Sequence, residues 1–382
     1  NTRGGDAVDA KLSDVFKFDA KTCPMALFHG GTDPYSPQGS TEIYRQLRRM
    51  KIPAEIHLFA DRGHGFMGDP KKGEKGTAYD HWLDRVCEFM RQMNFDGRLG
   101  KPVDLMTRYP NDDARGKYRK EQIWPNGRMP DVQANQCQPY IEWHFPKERK
   151  TKAIQIIYSG GGYGHNKPDG FEVAPARRYL NEKGMTVVTM KYRTPRPQGG
   201  LAKHTTAWQD LQRAIRMVRS QAEKEDLDPN RIGIMGSSAG GHLTLMGATS
   251  SKQKVSWAID DLHKISCKVQ WAVAIYPAYV LTDGANGPNS KGGNEDDARI
   301  VADFAFDLDT CPMLFIHGDA DGHSPMNSVK CWEQLRRMGI QSDLHTLAKR
   351  GHCFQRTASP GTGSYTWMDR IWEFMNHKKF NQ

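Results

Sequence analysis

The chain has 382 residues, 37% of them hydrophobic and 26% charged, with 37 glycines and 21 prolines scattered along it. That mixture excludes a collagen, a coiled coil and a wholly disordered chain, and the length allows two or three domains. The net charge of +10 comes from short basic groups, such as 147–152 and 45–51, that sit beside acidic residues, so a solvated basic surface is expected rather than a nucleic-acid partner.

The first predicted strands are at 25–29 and 55–59. AIQIIY (153–158) reads as a short buried strand ending at a glycine cluster, and MTVVTMKY (185–192) as another, followed by a Pro/Gly loop. Residues 207–224 carry apolar side chains at helical spacing. A strand at 231–236 then runs into a small-residue helix at 239–249. Apolar strands follow at 271–276 and 312–318, with a helix at 326–338, a strand at 343–347 and a last helix at 364–375. Short apolar strands alternating with amphipathic helices predict an α/β fold, a mainly parallel sheet with helices on both faces. Ligands bind such sheets at the carboxyl ends of the strands.

The longest nearly apolar run, 271–281, contains a proline and is too short to cross a bilayer, so no membrane partner is expected. The opening NTRGGDAVDA has no pattern of a signal peptide. Seven cysteines (23, 87, 137, 267, 311, 331 and 353) lack any CxxC or other metal-ligand spacing and are read as buried free thiols. No metal is expected.

The strongest organisational signal is an internal repeat. CPMALFHGGTDPYSP (23–37) returns as CPMLFIHGDADGHSP (311–325), and QLRRM (46–50) and RGHGF (62–66) return as QLRRM and RGHCF at the same offset of 288. NTRGG (1–5) likewise answers NSKGG (289–293), in a Gly/Asn/Asp-rich loop (283–297). At that offset 30 of residues 1–66 are identical, which chance does not give. After a three-residue slip, WLDRVCEFM (82–90) matches WMDRIWEFM (367–375). Residues 1–97 therefore read as the C-terminal third of a first copy, and 98–382 as a complete second copy. The fragment is expected to pack against the second copy, against the rest of the first copy as a separate chain, or against another protomer. A truncated or nicked tandem protein is the favoured reading.

GSSAG (236–240) fits G-x-S-x-G between a predicted strand and a small-residue helix, the context of a nucleophile elbow. Ser238 is the candidate nucleophile, the competing reading being a glycine-rich turn with an incidental serine. A serine needs a base, and in this architecture the acid and the histidine follow it in that order. Asp321 and His352 satisfy the order, both just after predicted strands. Asp319 rivals Asp321, but position 319 corresponds to Gly31 whereas Asp321 corresponds to Asp33. A capping or core role is the alternative for His352, while His57 and His345, mid-strand, read as structural and His323 as optional. The run SGGGYG (159–164) resembles an oxyanion loop, which nominates the amides of Gly161, Gly162 and Ala239. It fits neither nucleotide-binding glycine pattern. Asp33 and His64 repeat Asp321 and His352 and are possible remnants of a second site.

YSGGGYG, MKYRTPRP, WQDLQRAIRMVRS, DPNRIGIMGSSAGGH, HGDADGHSP and RGHCF together resemble the α/β-hydrolase serine esterases, specifically the acetylxylan-esterase-like carbohydrate esterases. The likeness runs from about residue 124 to the C-terminus, and residues 1–97 match only the family's last third. It implies an α/β-hydrolase fold and a carboxylic ester hydrolase acting through a Ser-His-Asp triad without metal or cofactor. The implied substrate is an acylated plant-type polysaccharide or oligosaccharide, with acetyl the expected acyl group. That substrate class suggests secretion or a periplasmic location. The alternatives are a feruloyl-type esterase, an S9-like peptidase and a non-catalytic carbohydrate-binding relative.

Overall fold

The computed structural model describes residues 12–60, 62–66, 81–125, 128–282 and 298–381. The repeated segments at 1–5 and 289–293, and the loop 283–297, lie outside them. In chain order the elements begin with β1 (Met25–Gly30), α1 (Gln38–Arg49), β2 (Ala54–Phe59) and α2 (Trp82–Gln92). Next come β3 (Arg115–Gln122), β4 (Tyr140–Pro146), β5 (Ile154–Tyr158), α3 (Ala174–Glu182), β6 (Thr186–Lys191) and α4 (Thr205–Ala222). The series continues with β7 (Ile232–Ser237), α5 (Ala239–Thr249), β8 (Trp271–Ile275) and β9 (Met313–Gly318). It closes with α6 (Met326–Arg337), β10 (Asp343–Leu347) and α7 (Trp367–His377).

Each predicted strand is present with its ends displaced by no more than a residue, because each is a short apolar run bounded by a turn signal. Pattern reading does not find β3, β4 and α3. Strand β3 is an edge strand whose charged side chains suit solvent and blunt the edge, and it pairs antiparallel with β4. Strand β4 carries Glu142 and His144 on buried positions, which breaks the apolar run.

The chain divides into two compact units. One contains the described residues within Asp104–Val280, Val301–Pro312 and Lys379–Gln382; the other contains those within Asn1–Val103, Leu281–Ile300 and Met313–Lys378. In the first, strand order is β8-β7-β5-β6-β4-β3, with β8, β7, β5 and β6 parallel and β4 and β3 antiparallel. Ile156, Val188, Ile234 and Val273 form its solvent-free centre. Helix α4 is buried along most of its length, and Asp210 on it is fully buried against Arg193 (2.9 Å) and the Trp124 indole N–H (2.6 Å).

The other unit has strand order β1-β2-β10-β9. Strands β1 and β2 are parallel, as are β9 and β10, while β2 and β10 meet antiparallel through Leu58 with Leu344 and His57 with His345. Each parallel pair is one copy of the repeat with its own two helices, so residues 25–92 pack on 313–377 within a single core. Of the seven cysteines, all free, only Cys267, Cys311 and Cys331 are buried; Cys137 and Cys353 are half-buried, and Cys23 and Cys87 are exposed. This corrects the expectation of seven buried thiols. Positions 23 and 87 belong to the first copy; Cys311, the counterpart of Cys23 in the second copy, is covered, whereas Cys23 is not.

Candidate active site

Ser238 is held between β7 and α5 at φ 55° and ψ −120°, a conformation that a non-glycine residue adopts only when its surroundings enforce it. The enforcing contacts are backbone hydrogen bonds: Ser238 N–H to Ile275 O (2.9 Å), and His242 N–H (3.0 Å) and Ala278 N–H (3.2 Å) to Ser238 O. A Cβ on Gly236 would lie 2.4 Å from Gly240 O, and one on Gly240 would lie 2.7 Å from Ser159 O, so neither position admits a side chain. Sequence spacing alone predicts this crowding. The turn therefore stores strain at the serine, at the N-terminus of α5.

The glycine loop lies directly against that turn. A Cβ on Gly160 would come within 2.7 Å of the Ser238 Cβ. Gly161, Gly162 and Tyr163 all have positive φ (102°, 61° and 61°), which directs their peptide groups away from ordinary sheet pairing. Gly160 N–H donates to Glu172 Oε2 (2.9 Å), and Tyr192 O–H donates to the carbonyls of Ser159 and Gly160 (3.0 Å each). Glu172 in turn accepts from Tyr276 O–H (2.9 Å). The amides of Gly161, Gly162 and Ala239 donate to nothing among the described residues. Open amide donors beside a strained serine are chemically able to meet a developing negative charge. Glu172, Tyr192 and Tyr276, which brace the loop, are invisible to motif reading because their partners are distant in the chain.

Asp321 and His352 are brought together in the other unit, His352 Nδ1 lying 2.8 Å from Asp321 Oδ2. The Asp321 carboxylate is buried; its Oδ1 accepts the His323 backbone N–H (2.7 Å), and His317 Nε2 lies 3.3 Å from Oδ2. Burial pushes this carboxyl up, but the hydrogen bonds from His317 and His352 outweigh it and hold the group well below the usual carboxylate range. An anion fixed this way orients His352 with Nδ1 protonated. His317 itself is fixed by Ser328 Oγ (2.8 Å) and the His323 carbonyl (2.8 Å). Motif reading does not single out His317, although FHG and IHG recur in the repeat and carry it. Asp319, the rival acid, faces elsewhere: it accepts from Tyr44 O–H (2.9 Å), Ala54 N–H (3.2 Å) and Arg48. The His323 ring lies 4.6 Å from the His352 ring, tilted at 48° to it.

The first copy reproduces this arrangement. His64 Nδ1 is 3.1 Å from Asp33 Oδ2, Asp33 Oδ1 accepts the Tyr35 N–H (2.8 Å), and His29 bridges Ser40 (2.9 Å) and the Tyr35 carbonyl (2.8 Å). The difference is exposure, since the His64 side chain is 67% exposed and that of His352 26%.

Residues 141–335 match the BD-FAE family model, and residues 11–94 match the dienelactone hydrolase family model. An acetylxylan esterase from Xylanibacter ruminicola is 35% identical over 225 residues, covering 55% of this chain and 42% of that protein. This chain thus spans less than half the length of that relative. Among solved structures, an acetyl ester-xyloside bifunctional hydrolase from Caldicellulosiruptor lactoaceticus aligns with a TM-score of 0.56 at 24% identity, over 69% of this chain and 97% of that one. Esterase 2 from Thermogutta terrifontis aligns with a TM-score of 0.53 at 20% identity, over 72% of this chain and 99% of that one. Together these likenesses place the fold among the α/β-hydrolases.

Proposed function

Since the chain belongs to the BD-FAE family, we propose that it is a serine esterase that removes acyl groups, chiefly acetyl, from a plant-type polysaccharide or oligosaccharide. The observation that carries the reading is Ser238, forced into a strained turn between two glycines that admit no side chain, with open amides beside it.

In this reading Ser238 Oγ attacks the ester carbonyl while His352 Nε2 takes its proton. Asp321 keeps the imidazole in the right tautomer and stabilises the imidazolium. Negative charge developing on the carbonyl oxygen is met by the amides of Gly161, Gly162 and Ala239, each worth on the order of 3 kcal/mol in the transition state. The imidazolium then protonates the departing sugar hydroxyl, leaving an acyl-Ser238 ester. Water, deprotonated by His352, hydrolyses that ester and restores the serine. Every proton is returned, and the residues named suffice for each step. The acetylxylan esterase at 35% identity supports acetyl on a xylan-type chain as the substrate class.

The test is turnover of p-nitrophenyl acetate, followed by acetate release from acetylated xylan set against ferulate release from a feruloyl ester. Acetate release that vanishes in Ser238→Ala supports the reading. Ferulate release alone would reassign the acyl group, and turnover that survives Ser238→Ala would remove Ser238 as nucleophile.

A further inference from the structure

Two imidazoles and a carboxylate meet in the same unit as Ser238, in an arrangement that ester hydrolysis does not use. His204 Nδ1 and His242 Nε2 lie 3.8 and 3.9 Å from Asp303 Oδ2, and the three ligand atoms fall within 4.8 Å of one another. His242 is fully buried and His204 is 8% exposed. Neither nitrogen has a hydrogen-bond partner among the described residues, although both are buried. Two orphaned imidazole nitrogens aimed at one carboxylate, at separations too long for hydrogen bonds, are an anomaly in a protein interior.

A metal ion resolves it. We propose that His204, His242 and Asp303 bind one divalent transition-metal ion of the zinc class. Nitrogen and carboxylate ligands at about 2.0–2.2 Å in tetrahedral array stand somewhat over 3 Å apart, so only a small inward movement of the three side chains is needed. Asp303, 43% exposed, gives the ion a path in and leaves a fourth position open to water. The outer contacts suit the role. His242 Nδ1 is 2.7 Å from the Tyr163 hydroxyl. With Nδ1–H donating to that oxygen, Nε2 keeps the lone pair a metal requires, the arrangement in which a second hydrogen bond fixes a metal-bound histidine. Phe304, 5.1 Å from the His242 ring, shields the site on one side. Lys203, whose ammonium lies 3.8 Å from the centre of the Tyr279 ring, contributes an opposing positive charge that weakens the ion's binding.

Position gives the site its consequence. His242 lies one helical turn beyond Ser238 on α5, and Tyr163 belongs to the glycine loop. An ion on His242 therefore ties the start of α5 to that loop, acting as a positioning device that donates nothing to the substrate. The four ligating and bracing residues are scattered over 163–303, which is why no spacing motif announces them.

The full chain, stripped with chelator, should take up one equivalent of Zn²⁺ by calorimetry, and Asp303→Asn should weaken binding at least tenfold. Asp303 is half-exposed, so that variant should fold. With Co²⁺ the protein should show the d–d absorption of a four-coordinate nitrogen/oxygen site without a thiolate charge-transfer band, which excludes binding by the free cysteines. Zn²⁺ should raise the Tm of the parent chain and not that of Asp303→Asn. Equal uptake by parent and Asp303→Asn, a thiolate cobalt spectrum or no saturable uptake would each overturn the proposal, independently of any result with esters.

Discussion

His57 and His345 hold the same position in the two copies of the repeat, and their Nδ1 atoms lie 2.9 Å apart across the antiparallel seam of β2 and β10. Contacts away from this point come in matched pairs. Ala60 N–H donates to Asp343 (2.6 Å) and its counterpart Ala348 N–H donates to Glu55, the counterpart of Asp343 (2.9 Å). Arg85 binds Glu373 (2.6 Å), and the equivalent Arg370 binds Glu88 (2.6 Å). Reciprocal pairing about a point of self-contact is the rule of a two-fold interface between identical subunits. Here the two partners are the repeated segments 25–92 and 313–377 of one chain.

The seam should be acid-sensitive. At 2.9 Å one imidazole donates and the other accepts, so the pair cannot hold two extra protons. Burial pushes both histidines below their ordinary value, opposed at His57 by Glu55 and reinforced at His345 by His57 and Arg370. In the unfolded chain each takes up a proton near pH 6.5, so below that pH the unfolded state binds more protons. The stabilisation is complete above pH 6.5 and is lost as pH falls towards the folded values, by up to about 1.4 kcal/mol per pH unit for each group. Urea unfolding at pH 7.5 and 5.5 should show the loss, and His345→Phe should reduce the difference between the two. An equal pH difference in the variant would assign the acid sensitivity elsewhere.

The paired ions are expected to be strong because they are buried. Glu88 is held at about 2: burial raises it, but Arg370 and Arg85 prevail. Glu88→Gln leaves both arginines short of a charge in a dry site and should cost about 3–5 kcal/mol. A cost under about 1 kcal/mol, read by equilibrium unfolding, would mean that water reaches this pair.

At the elbow, Gly236→Ala should abolish ester turnover and lower stability together, since its Cβ would lie 2.4 Å from Gly240 O and the turn has no room to yield. Ser238→Ala keeps the Cβ, and with it the strained backbone, and adds no volume to the turn. It should leave Tm nearly unchanged while turnover falls on the order of 10³-fold or more. Parallel melts and p-nitrophenyl acetate assays of the two variants check the contrast.

Much of this architecture is legible because it rests on local rules. Apolar runs of five or six residues mark β5, β7, β8 and β9, and the spacing of Gly236, Ser238 and Gly240 marks the turn. The repeat also distinguishes Asp321 from Asp319. Long-range polar contacts are what sequence conceals. Glu172 reaches Gly160 over 12 residues and Tyr276 over 104, and His242 meets Tyr163 over 79. No periodicity encodes such pairs. Strand β3 is hidden for the opposite reason, since an edge strand satisfied by solvent and charge has no apolar pattern to read.

Asp319 and Asp321 should separate stability from catalysis. Asp319 bonds Tyr44, Arg48 and the Ala54 amide, all in the first copy, and touches no member of the proposed triad. Asp319→Asn should therefore lower Tm and leave kcat/KM within about threefold. Asp321→Asn should lower kcat/KM on the order of 10⁴-fold with a smaller effect on Tm, because the amide favours the wrong tautomer of His352. The reverse ranking would exchange the two assignments.

The dyad of the first copy should be silent in ester hydrolysis. Asp33 and His64 have the geometry of Asp321 and His352, but a histidine activates a nucleophile only when one is presented to it. Within the 382 residues Ser238 is the one serine set in G-x-S-x-G, so a single nucleophile is available for two acid–base pairs. His64, with its side chain 67% exposed, also lies open to water, which competes for its second nitrogen. A serine-directed phosphonate should therefore label one site per chain, at Ser238, and His64→Ala should leave labelling rate and kcat/KM unchanged within twofold. Labelling of a second serine, or a His64→Ala variant with halved stoichiometry, would show that the first copy works as an active site after all.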